Sequence, residues 1–410
     1  MKLKNIAAVL AALVMMCTGM ACGEEKKTMF DQEWYQQALK DSVMSTGNNA
    51  RLKKVIERAR NGEEITLATI GGSITEGAGA AMYSQCWAAR FGVRFGTAYG
   101  TDNGANVHLV NAGVGGTPSP FGWMRYRREV VDRVPGKDPD GLPDVVVIEF
   151  SVNDWEEPTK HRCYESMVKE ILEAPNSPAV ILLFAVFRNG FNLQEELKRI
   201  GERYGLMMVS IKDGFYGHVG KEITEAQFFH DEYHPTSFGH RIMADCLMQA
   251  VRNAAEKETD APQDLNVAPV FGTDFKGLQT IFGDTETDAF TVERGGFQSK
   301  DYSSYHNEPV GWVCGPNFFH NNNDPMEPLR VTGVFRKCLI AWKATADSAF
   351  GTAEILVDGK VVKTVSGGAG KWGQSEVALA LDAAEAAEHT LEIRVTEAGK
   401  KFTVTAIGLQ

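Results

Sequence analysis

Cysteine is scarce in this sequence, and its spacing fits neither a disulfide framework nor a zinc site. Seven cysteines occur in 410 residues, and no two are spaced C-x-x-C. Cys17 and Cys22 lie near the amino terminus, which leaves an odd set: Cys86, Cys163, Cys246, Cys314 and Cys338. An odd set without paired spacing argues against structural disulfides and zinc. We expect most of these thiols to be buried as small apolar groups.

Positive charge is also limited. Lys and Arg total 42 against 53 Asp and Glu, which gives a formal net charge of −11. A protein that neutralises nucleic-acid phosphates or docks on an anionic bilayer needs a basic face. The charge balance therefore argues against both partners. Hydrophobic residues make up 43% of the chain, enough for a sizeable core, and the length favours two or three domains.

Long apolar runs are rare, and the clearest one lies at the amino terminus. Residues 6–16 are apolar and follow Lys2 and Lys4. This run is too short to span a bilayer and predicts an export signal over residues 1–22. Residues 19–22 (GMAC) resemble a lipobox, which predicts a lipid on Cys22; an ordinary cleaved signal is the alternative. We expect an outer-membrane or cell-surface lipoprotein, otherwise a periplasmic or secreted protein, that meets the membrane only through this anchor.

Residues 45–256 alternate between apolar runs and helical stretches. The candidate strands are residues 65–70, 107–110, 144–150, 180–186 and 206–211. Their apolar runs are continuous rather than alternating, which suits strands covered on both faces of a parallel sheet. A last helix is predicted over residues 242–254. The pattern predicts a doubly wound α/β domain.

The pattern changes on either side of this domain. Residues 23–44 predict a polar tether and a short helix, and residues 257–276, charged and containing Pro262, predict a linker. Beyond them, strand-like runs dominate: residues 339–342, 353–357, 361–365, 390–395 and 402–405. Asp358-Gly359 between two of these runs predicts a hairpin turn. We expect residues 277–410 to form a β-sandwich of jelly-roll type.

Three polar motifs follow candidate strands at the edge where α/β sheets bind ligands. Residues 71–75 (GGSIT) form a tight turn that would offer Ser73 at a helix start; a phosphate loop is the alternative, although the P-loop lysine is missing. Residues 111–117 (NAGVGGT) could aim a backbone N–H at a carbonyl oxygen or form a simple glycine turn. Residues 151–154 (SVND) place Asn153 where its amide could donate to an oxyanion or cap a helix.

A fourth motif, residues 231–235 (DEYHP), combines an imidazole with a carboxylate. His234 could take a proton from a hydroxyl, and Asp231 could hold the required tautomer. The alternative is a metal site, because His230 and His234 have the spacing of two helix-borne zinc ligands. Pro235 disfavours helical geometry at His234, which favours the proton-transfer interpretation.

Together, the four motifs resemble those of SGNH (GDSL) hydrolases over about residues 64–250. The resemblance implies a flavodoxin-like α/β/α sandwich with a five-stranded parallel sheet and no metal or organic cofactor. It assigns the nucleophile to Ser73, the general base to His234 and the orienting acid to Asp231. Two positions depart from the family pattern: Gly72 replaces the usual Asp, and Ser151 replaces the usual Gly.

The same resemblance implies an oxyanion hole. Its donors would be the backbone N–H groups of Ser73 and Gly116, with Gly115 as the alternative register, and the Asn153 amide. The expected activity is therefore that of a serine esterase. No oligomeric state is predicted.

The acidic charge, the predicted export and the added β-domain together favour an extracellular polymer as the substrate. We expect it to remove O-acetyl groups from a polysaccharide or oligosaccharide. The alternatives are a lipase, lysophospholipase or thioesterase on the same scaffold, and an idle surface glycan-binding lipoprotein. Candidate sugar-binding residues near the motifs are Trp123, Arg125, Trp155, Glu156, Arg188, Asn189 and Asn192. The alternative is that the aromatic side chains are half-buried packing and that the charged ones form a solvated rim. In the β-domain, Trp312, Trp342 and Trp372 could stack on sugars or pack in the core.

Overall fold

The computed structural model describes residues 28–136, 141–302, 306–307, 311–312 and 316–410. The predicted export signal, Cys22 and Cys314 lie outside the described residues. The chain divides after residue 38, and the described part of the first unit contains the helical turn Met29–Asp31 and the start of α1 (Glu33–Asp41). Within the described residues, no helix combines the length and apolarity needed to cross a membrane.

The second unit begins with a six-stranded sheet. Its strands are β1 (Val43–Ser45), β2 (Ile65–Gly71), β3 (Val107–Gly113), β4 (Val145–Glu149), β5 (Ala179–Phe184) and β6 (Met207–Ser210). Their order is β1-β6-β5-β4-β2-β3. The five predicted strands are present and parallel, whereas β1 is an additional antiparallel edge strand. It was missed because its three half-buried residues form no continuous apolar run.

Helices cover both faces of this sheet. They are α2 (Ala50–Arg60), α3 (Ser73–Glu76), α4 (Trp87–Tyr99), α5 (Ser119–Glu129), α6 (Arg162–Leu172), α7 (Gln194–Arg203), α8 (Ile211–Phe215), α9 (Glu225–Phe228) and α10 (Ser237–Glu256). Helix α10 packs against α2 and α4, whereas α5 packs against α6. Every residue of β2, β4, β5 and β6 is buried, as two-sided covering requires. The predicted α/β/α sandwich is confirmed. Cys86, Cys163, Cys246 and Cys338 are free and buried, as expected.

The segment predicted as a linker, residues 257–276, is fastened to the α/β domain. The Glu165 carboxylate on α6 accepts hydrogen bonds from the backbone N–H groups of Val270, Phe271 and Gly272, at 2.5 to 2.9 Å. Phe275 is fully buried in the adjoining core. A buried carboxylate with several backbone donors fixes a loop strongly, so this segment is a strap rather than a free connection.

The carboxyl-terminal part is an antiparallel β-domain. Its strands are β7 (Gln279–Ile281), β8 (Phe290–Glu293), β9 (His306–Asn307), β10 (Gly311–Trp312), β11 (Phe318–His320), β12 (Leu329–Thr345), β13 (Thr352–Val357), β14 (Lys360–Ser366), β15 (Trp372–Val395) and β16 (Phe402–Leu409). Strands β9 and β10 pair with each other, and the other eight form one sheet. The predicted Asp358-Gly359 hairpin is confirmed: both residues have positive φ, 52° and 73°, and they join β13 to β14.

Long strands fold this sheet onto itself. The register between β12 and β15 shifts after Phe335, so the two ends of each strand join different neighbours. The first half of β12 also pairs with β8, and its second half pairs with β16. Apolar side chains from both halves share one core, as in the predicted β-sandwich.

The β-domain also packs directly on the α/β domain. Along β12, Ile340 and Trp342 face the interior of the sandwich, whereas Leu339 and Ala341 join the α/β core that contains Trp123. The indole N–H of Trp342 donates to the Ser366 carbonyl, so this tryptophan belongs to the core. The side chain of Trp312 lies outside the described residues.

Candidate active site

Ser73 begins α3 directly beyond the end of β2. The turn requires glycine at position 71, because a Cβ atom there would lie 2.2 Å from Thr75 Oγ1 and 2.4 Å from the Glu149 carbonyl oxygen. Close approach of α3 to the end of β4 is therefore built into the motif. Ser73 is half-buried at this carboxyl edge of the sheet, where it can meet a ligand.

Ser73, His234 and Asp231 form a hydrogen-bonded relay. The distance from Ser73 Oγ to His234 Nε2 is 2.9 Å, and His234 Nδ1 lies 2.8 Å from Asp231 Oδ2. Because the carboxylate accepts from Nδ1–H, Nε2 is left as the acceptor for the serine O–H. The sequence separates Ser73 from His234 by 161 residues, and the fold brings them into contact.

Asp231 is held in its ionised form. Burial is the largest influence on its pKa and by itself raises it, but the hydrogen bonds from the His234 ring and from the backbone N–H groups of Tyr233 and His234 outweigh burial and lower the pKa below its usual value. Those backbone donors lie 2.8 and 2.9 Å from Oδ1. A carboxylate with several donors is a stable orienting group for an imidazole.

The alternative metal interpretation of His230 and His234 does not match the local geometry. The segment is a non-helical loop closed by a bridge between Phe229 and Pro235, and both ring nitrogens of His234 are engaged in the relay. Two helix-borne ligands would need a continuous helix. In the part of the chain that the structure describes, no cluster of three His, Cys, Asp or Glu side chains could hold a metal ion.

In the second motif, the backbone N–H of Gly116 is available to a ligand, whereas that of Gly115 is not. The Gly115 N–H donates to Glu76 Oε2 at 2.8 Å, so this donor is already occupied. Gly116 has a φ of 64°, which favours glycine. Among the described residues, no protein acceptor binds the backbone N–H of Ser73 or Gly116.

Asn153 lies directly against Gly72. A Cβ atom at position 72 would lie 2.3 Å from Asn153 Oδ1 and 2.7 Å from its Nδ2. The glycine that departs from the family pattern therefore leaves the space that the Asn153 amide occupies beside Ser73. Asn153 itself is held by its backbone N–H, which donates to the Phe150 carbonyl at 2.9 Å.

Two predicted sugar-binding residues are buried instead. Trp123 is 7% exposed, and its indole N–H donates to the Phe275 carbonyl of the strap. Arg125 is 0% exposed and donates to the carbonyl oxygens of Ala112 and Gly71, which ties the ends of β2 and β3 together. Both predictions are wrong: the strap and the β-domain cover Trp123, whereas Arg125 is buried against the ends of β2 and β3 within the α/β domain.

The predicted residues on the loop after β5 make local hydrogen bonds, and one of these residues also contacts the loop that carries Asp231 and His234. The Arg188 backbone N–H donates to the Glu232 carbonyl, and its guanidinium pairs with Glu225, with Nε 3.0 Å from Oε2. Asn189 Oδ1 accepts the N–H of Phe191, and Asn192 donates to the Ala185 carbonyl. These side chains are thus engaged in local hydrogen bonds.

Exposed aromatic side chains accompany the relay. Trp155, two residues beyond Asn153, is 60% exposed, and the adjacent Glu156 is exposed with a φ of 57°. Tyr233, which is not among the predicted sugar-binding residues, is 52% exposed, and the centroid of its ring lies 6.2 Å from that of the His234 ring. Its place within the DEYHP motif, beside His234, was the signal that could have identified it.

The β-domain also reaches the proposed oxyanion loop, residues 111–117. Trp372, at the start of β15, is 56% exposed, and a Cβ atom at Gly116 would lie 2.6 Å from its Cζ2 atom. Gln374 lies at 3.3 Å from the same point. Trp372 was one of three tryptophans considered in the β-domain, but its place beside Gly116 depends on a contact between segments 256 residues apart.

His240 supports the loop that contains Ala78 and Gly79. Its buried ring accepts the Trp87 N–H at Nδ1 and lies 3.0 Å from the Ala78 carbonyl at Nε2. The loop that contains Ala78 packs on the relay, since a Cβ atom at Gly79 would lie 3.0 Å from His234 Cβ. Burial lowers the pKa of His240 to about 4, so the ring is neutral near neutral pH.

The hydroxyl, the imidazole and the carboxylate, gathered at the edge of a parallel sheet, define the class of the domain. Residues 69–242 match the model of the GDSL-like lipase/acylhydrolase family. This part of the chain is therefore a domain similar to that family, and the protein is a carboxylic ester hydrolase. No curated protein matches the chain.

Among solved structures, the chain is similar over both domains to a two-domain esterase active on acetylated mannans. The identity is 25% and the TM-score 0.75, over 90% of this chain and 97% of that one. The same esterase co-crystallised with mannopentaose gives a TM-score of 0.74. A lipase/acylhydrolase from Enterococcus faecalis matches 48% of this chain and 100% of its own, with 21% identity and a TM-score of 0.36.

Proposed function

We propose that the protein removes O-acetyl groups from an acetylated glycan of the mannan class by a Ser-His-Asp mechanism. The observation that carries the proposal is the relay, in which Ser73 Oγ lies 2.9 Å from His234 Nε2 and Asp231 holds the opposite ring nitrogen. This is the geometry in which a hydroxyl becomes a nucleophile near neutral pH.

In the first half of the reaction, His234 Nε2 takes the proton of Ser73 while Oγ attacks the acetyl carbonyl carbon. The carbonyl oxygen becomes an oxyanion next to the N–H groups of Ser73 and Gly116 and the Asn153 amide. Removing one such donor typically costs about 3 kcal/mol of transition-state stabilisation. His234 then protonates the leaving sugar oxygen, and the acetyl group remains on Ser73.

In the second half, water replaces the sugar hydroxyl. His234 takes a proton from the water, whose oxygen attacks the acetyl-serine carbonyl. The collapse of this second oxyanion returns the proton to Ser73 and releases acetic acid. Asp231 stabilises the imidazolium in both halves without itself being protonated.

The substrate class is supported by similarity and by surface chemistry. The relative that matches across both domains is active on acetylated mannans. In this chain, Trp155, Tyr233 and Trp372 keep more than half of their surface exposed. Trp155 lies two residues beyond Asn153, Tyr233 lies beside His234, and Trp372 lies beside Gly116. Exposed aromatic rings are suited to stacking on sugar faces, and a lipid esterase would more readily present aliphatic side chains.

The test is acetate release from acetylated mannan oligosaccharides, with acetylated xylan and a long-chain lipid ester as competitors. The proposal expects the mannan to have the highest kcat/KM. Ser73→Ala, which keeps the binding surface, should abolish release. Preference for the long-chain ester would contradict the substrate assignment, and turnover by Ser73→Ala would contradict the mechanism.

We also propose that residues 45–256 are the catalytic domain, that residues 277–410 are an accessory domain, and that the chain is exported and lipidated at Cys22. The lipobox-like residues 19–22 support the export proposal. Metabolic labelling with a radioactive fatty acid should mark the wild-type protein. Cys22→Ser should lose the label, and an unlabelled wild-type protein would contradict the proposal.

A further inference from the structure

Glu76 connects the nucleophile helix to the oxyanion loop. It is the last residue of α3, three positions after Ser73, and its side chain is half-buried. Its Oε2 accepts the Gly115 N–H at 2.8 Å. The backbone of the oxyanion loop also packs against that of α3, because a Cβ atom at Gly113 would lie 2.1 Å from the Glu76 backbone nitrogen.

The other hydrogen bonds of this loop pin it on both sides of Gly116. The Val114 N–H donates to the Gly71 carbonyl at 3.1 Å, and Thr117 Oγ1 donates to the Val114 carbonyl at 2.7 Å. Glu76 supplies the restraint immediately before the peptide group that carries the Gly116 N–H. Without it, the Gly115-Gly116 segment, which has no side chains, would be free to rotate.

Opposing influences act on the pKa of the Glu76 carboxyl. Burial raises its pKa to about 7, and the Gly115 N–H and the Arg125 guanidinium lower it by less. A neutral acceptor of the same length is therefore tolerable at this position, because the carboxylate charge is not strongly stabilised. What the Gly115 N–H requires is an oxygen at the right distance.

We propose that Glu76 is a positioning residue, which fixes the Gly115-Gly116 backbone so that the Gly116 N–H is aimed at the oxyanion. This inference rests on the oxyanion role of Gly116 in the proposed function. Glu76 acts through the loop and does not touch the reacting atoms. Its removal should therefore weaken transition-state binding and leave ground-state binding almost unchanged.

Three variants of the full-length protein separate geometry from charge. Glu76→Gln removes the charge but keeps an acceptor oxygen at the same reach. Glu76→Asp keeps the charge but withdraws the oxygen by one methylene, and Glu76→Ala removes both. The measurements are kcat and KM for p-nitrophenyl acetate, and the inhibition constant of a trifluoromethyl ketone, whose tetrahedral adduct places an oxyanion in the hole.

We expect Glu76→Asp and Glu76→Ala to lose about 10- to 100-fold in kcat, with the inhibition constant rising by a similar factor. KM should stay within about threefold of wild type, and Glu76→Gln should keep kcat within about threefold. Wild-type kcat in Glu76→Asp would overturn the inference. So would a loss in Glu76→Gln as large as in Glu76→Asp.

The matched control is Glu170, another partly buried carboxylate whose Oε2 accepts a glycine N–H, that of Gly277 at 2.6 Å. Glu170→Asp should change the melting temperature by about as much as Glu76→Asp does, but it should leave kcat unchanged. Ser73→Ala distinguishes a failure of the proposed mechanism from a failure of the proposed role of Glu76. If it retains turnover, the proposed mechanism fails; if it is inactive while Glu76→Asp is normal, only the role of Glu76 fails.

Discussion

The side chain of Asn153 fills the space that any side chain at Gly72 would need. A Cβ atom at position 72 would lie 2.3 Å from Asn153 Oδ1, closer than real atoms approach. The residue before the nucleophile and the proposed oxyanion amide are thus fitted to each other. The Asn153 amide can keep its present position only while residue 72 has no side chain.

Gly72→Ala should therefore displace the Asn153 amide and reduce kcat for p-nitrophenyl acetate by about 100-fold. KM should change little, because the hole binds the oxyanion and not the ground-state ester. The matched control is Gly217→Ala, where a Cβ atom would meet nothing within 4 Å. Equal activities of the two variants would contradict the argument.

Asp231→Asn should test the relay without changing its shape. The two backbone N–H groups that Oδ1 accepts would hold the amide oxygen in that position, which leaves the amide NH2 facing Nδ1; the imidazole therefore loses its required tautomer and its stabilising charge. A decrease of about 10³- to 10⁴-fold in kcat is expected from triads of this kind. Asp231→Ala should behave similarly; near-wild-type kcat in either variant would remove Asp231 from the mechanism.

His240 should make the fold sensitive to acid. Its pKa is lowered to about 4 in the folded protein, below the ordinary value near 6.5, so the unfolded state binds the proton first. The contribution of neutral His240 to the free energy of unfolding is complete above pH 6.5 and is lost as the pH falls towards 4. The loss is on the order of 3 kcal/mol in the free energy of unfolding.

Urea unfolding of wild type and His240→Gln at pH 7 and pH 4 measures this contribution. Other groups titrate in both proteins, so the difference between the two pH dependences isolates residue 240. Wild type should lose more stability on acidification than the glutamine variant. Parallel losses would show that His240 is not the acid-sensitive group.

Much of the α/β domain could be predicted because its information is local. The run 145–148 is apolar without interruption, as a strand covered on both faces must be, and DEYHP places an acid and a base within one loop. What escaped prediction depends on long-range contact. β1 is defined by pairing with β6, and Trp123 looked available because the strap that covers it begins more than a hundred residues later.

Trp372 tests whether the β-domain takes part in substrate binding. It lies beside Gly116 and is more than half exposed, so it can stack on a sugar that enters the site. Trp372→Ala should raise KM for an acetylated oligosaccharide about tenfold and leave p-nitrophenyl acetate hydrolysis unchanged. Val361→Ala, on the exposed edge strand β14 of the same domain, should change neither.

The shared core between the domains predicts how removal of the β-domain would act. Leu339 and Ala341 of β12 pack in the same buried cluster as Trp123 and Met124 of α5. Deleting residues 277–410 would expose these apolar side chains, so the remaining protein should aggregate or unfold at lower urea concentration. Leu339→Ala in the full chain should cost about 2–5 kcal/mol in the free energy of unfolding. A soluble deletion variant with wild-type stability and kcat would show instead that the α/β domain is complete without its β-domain.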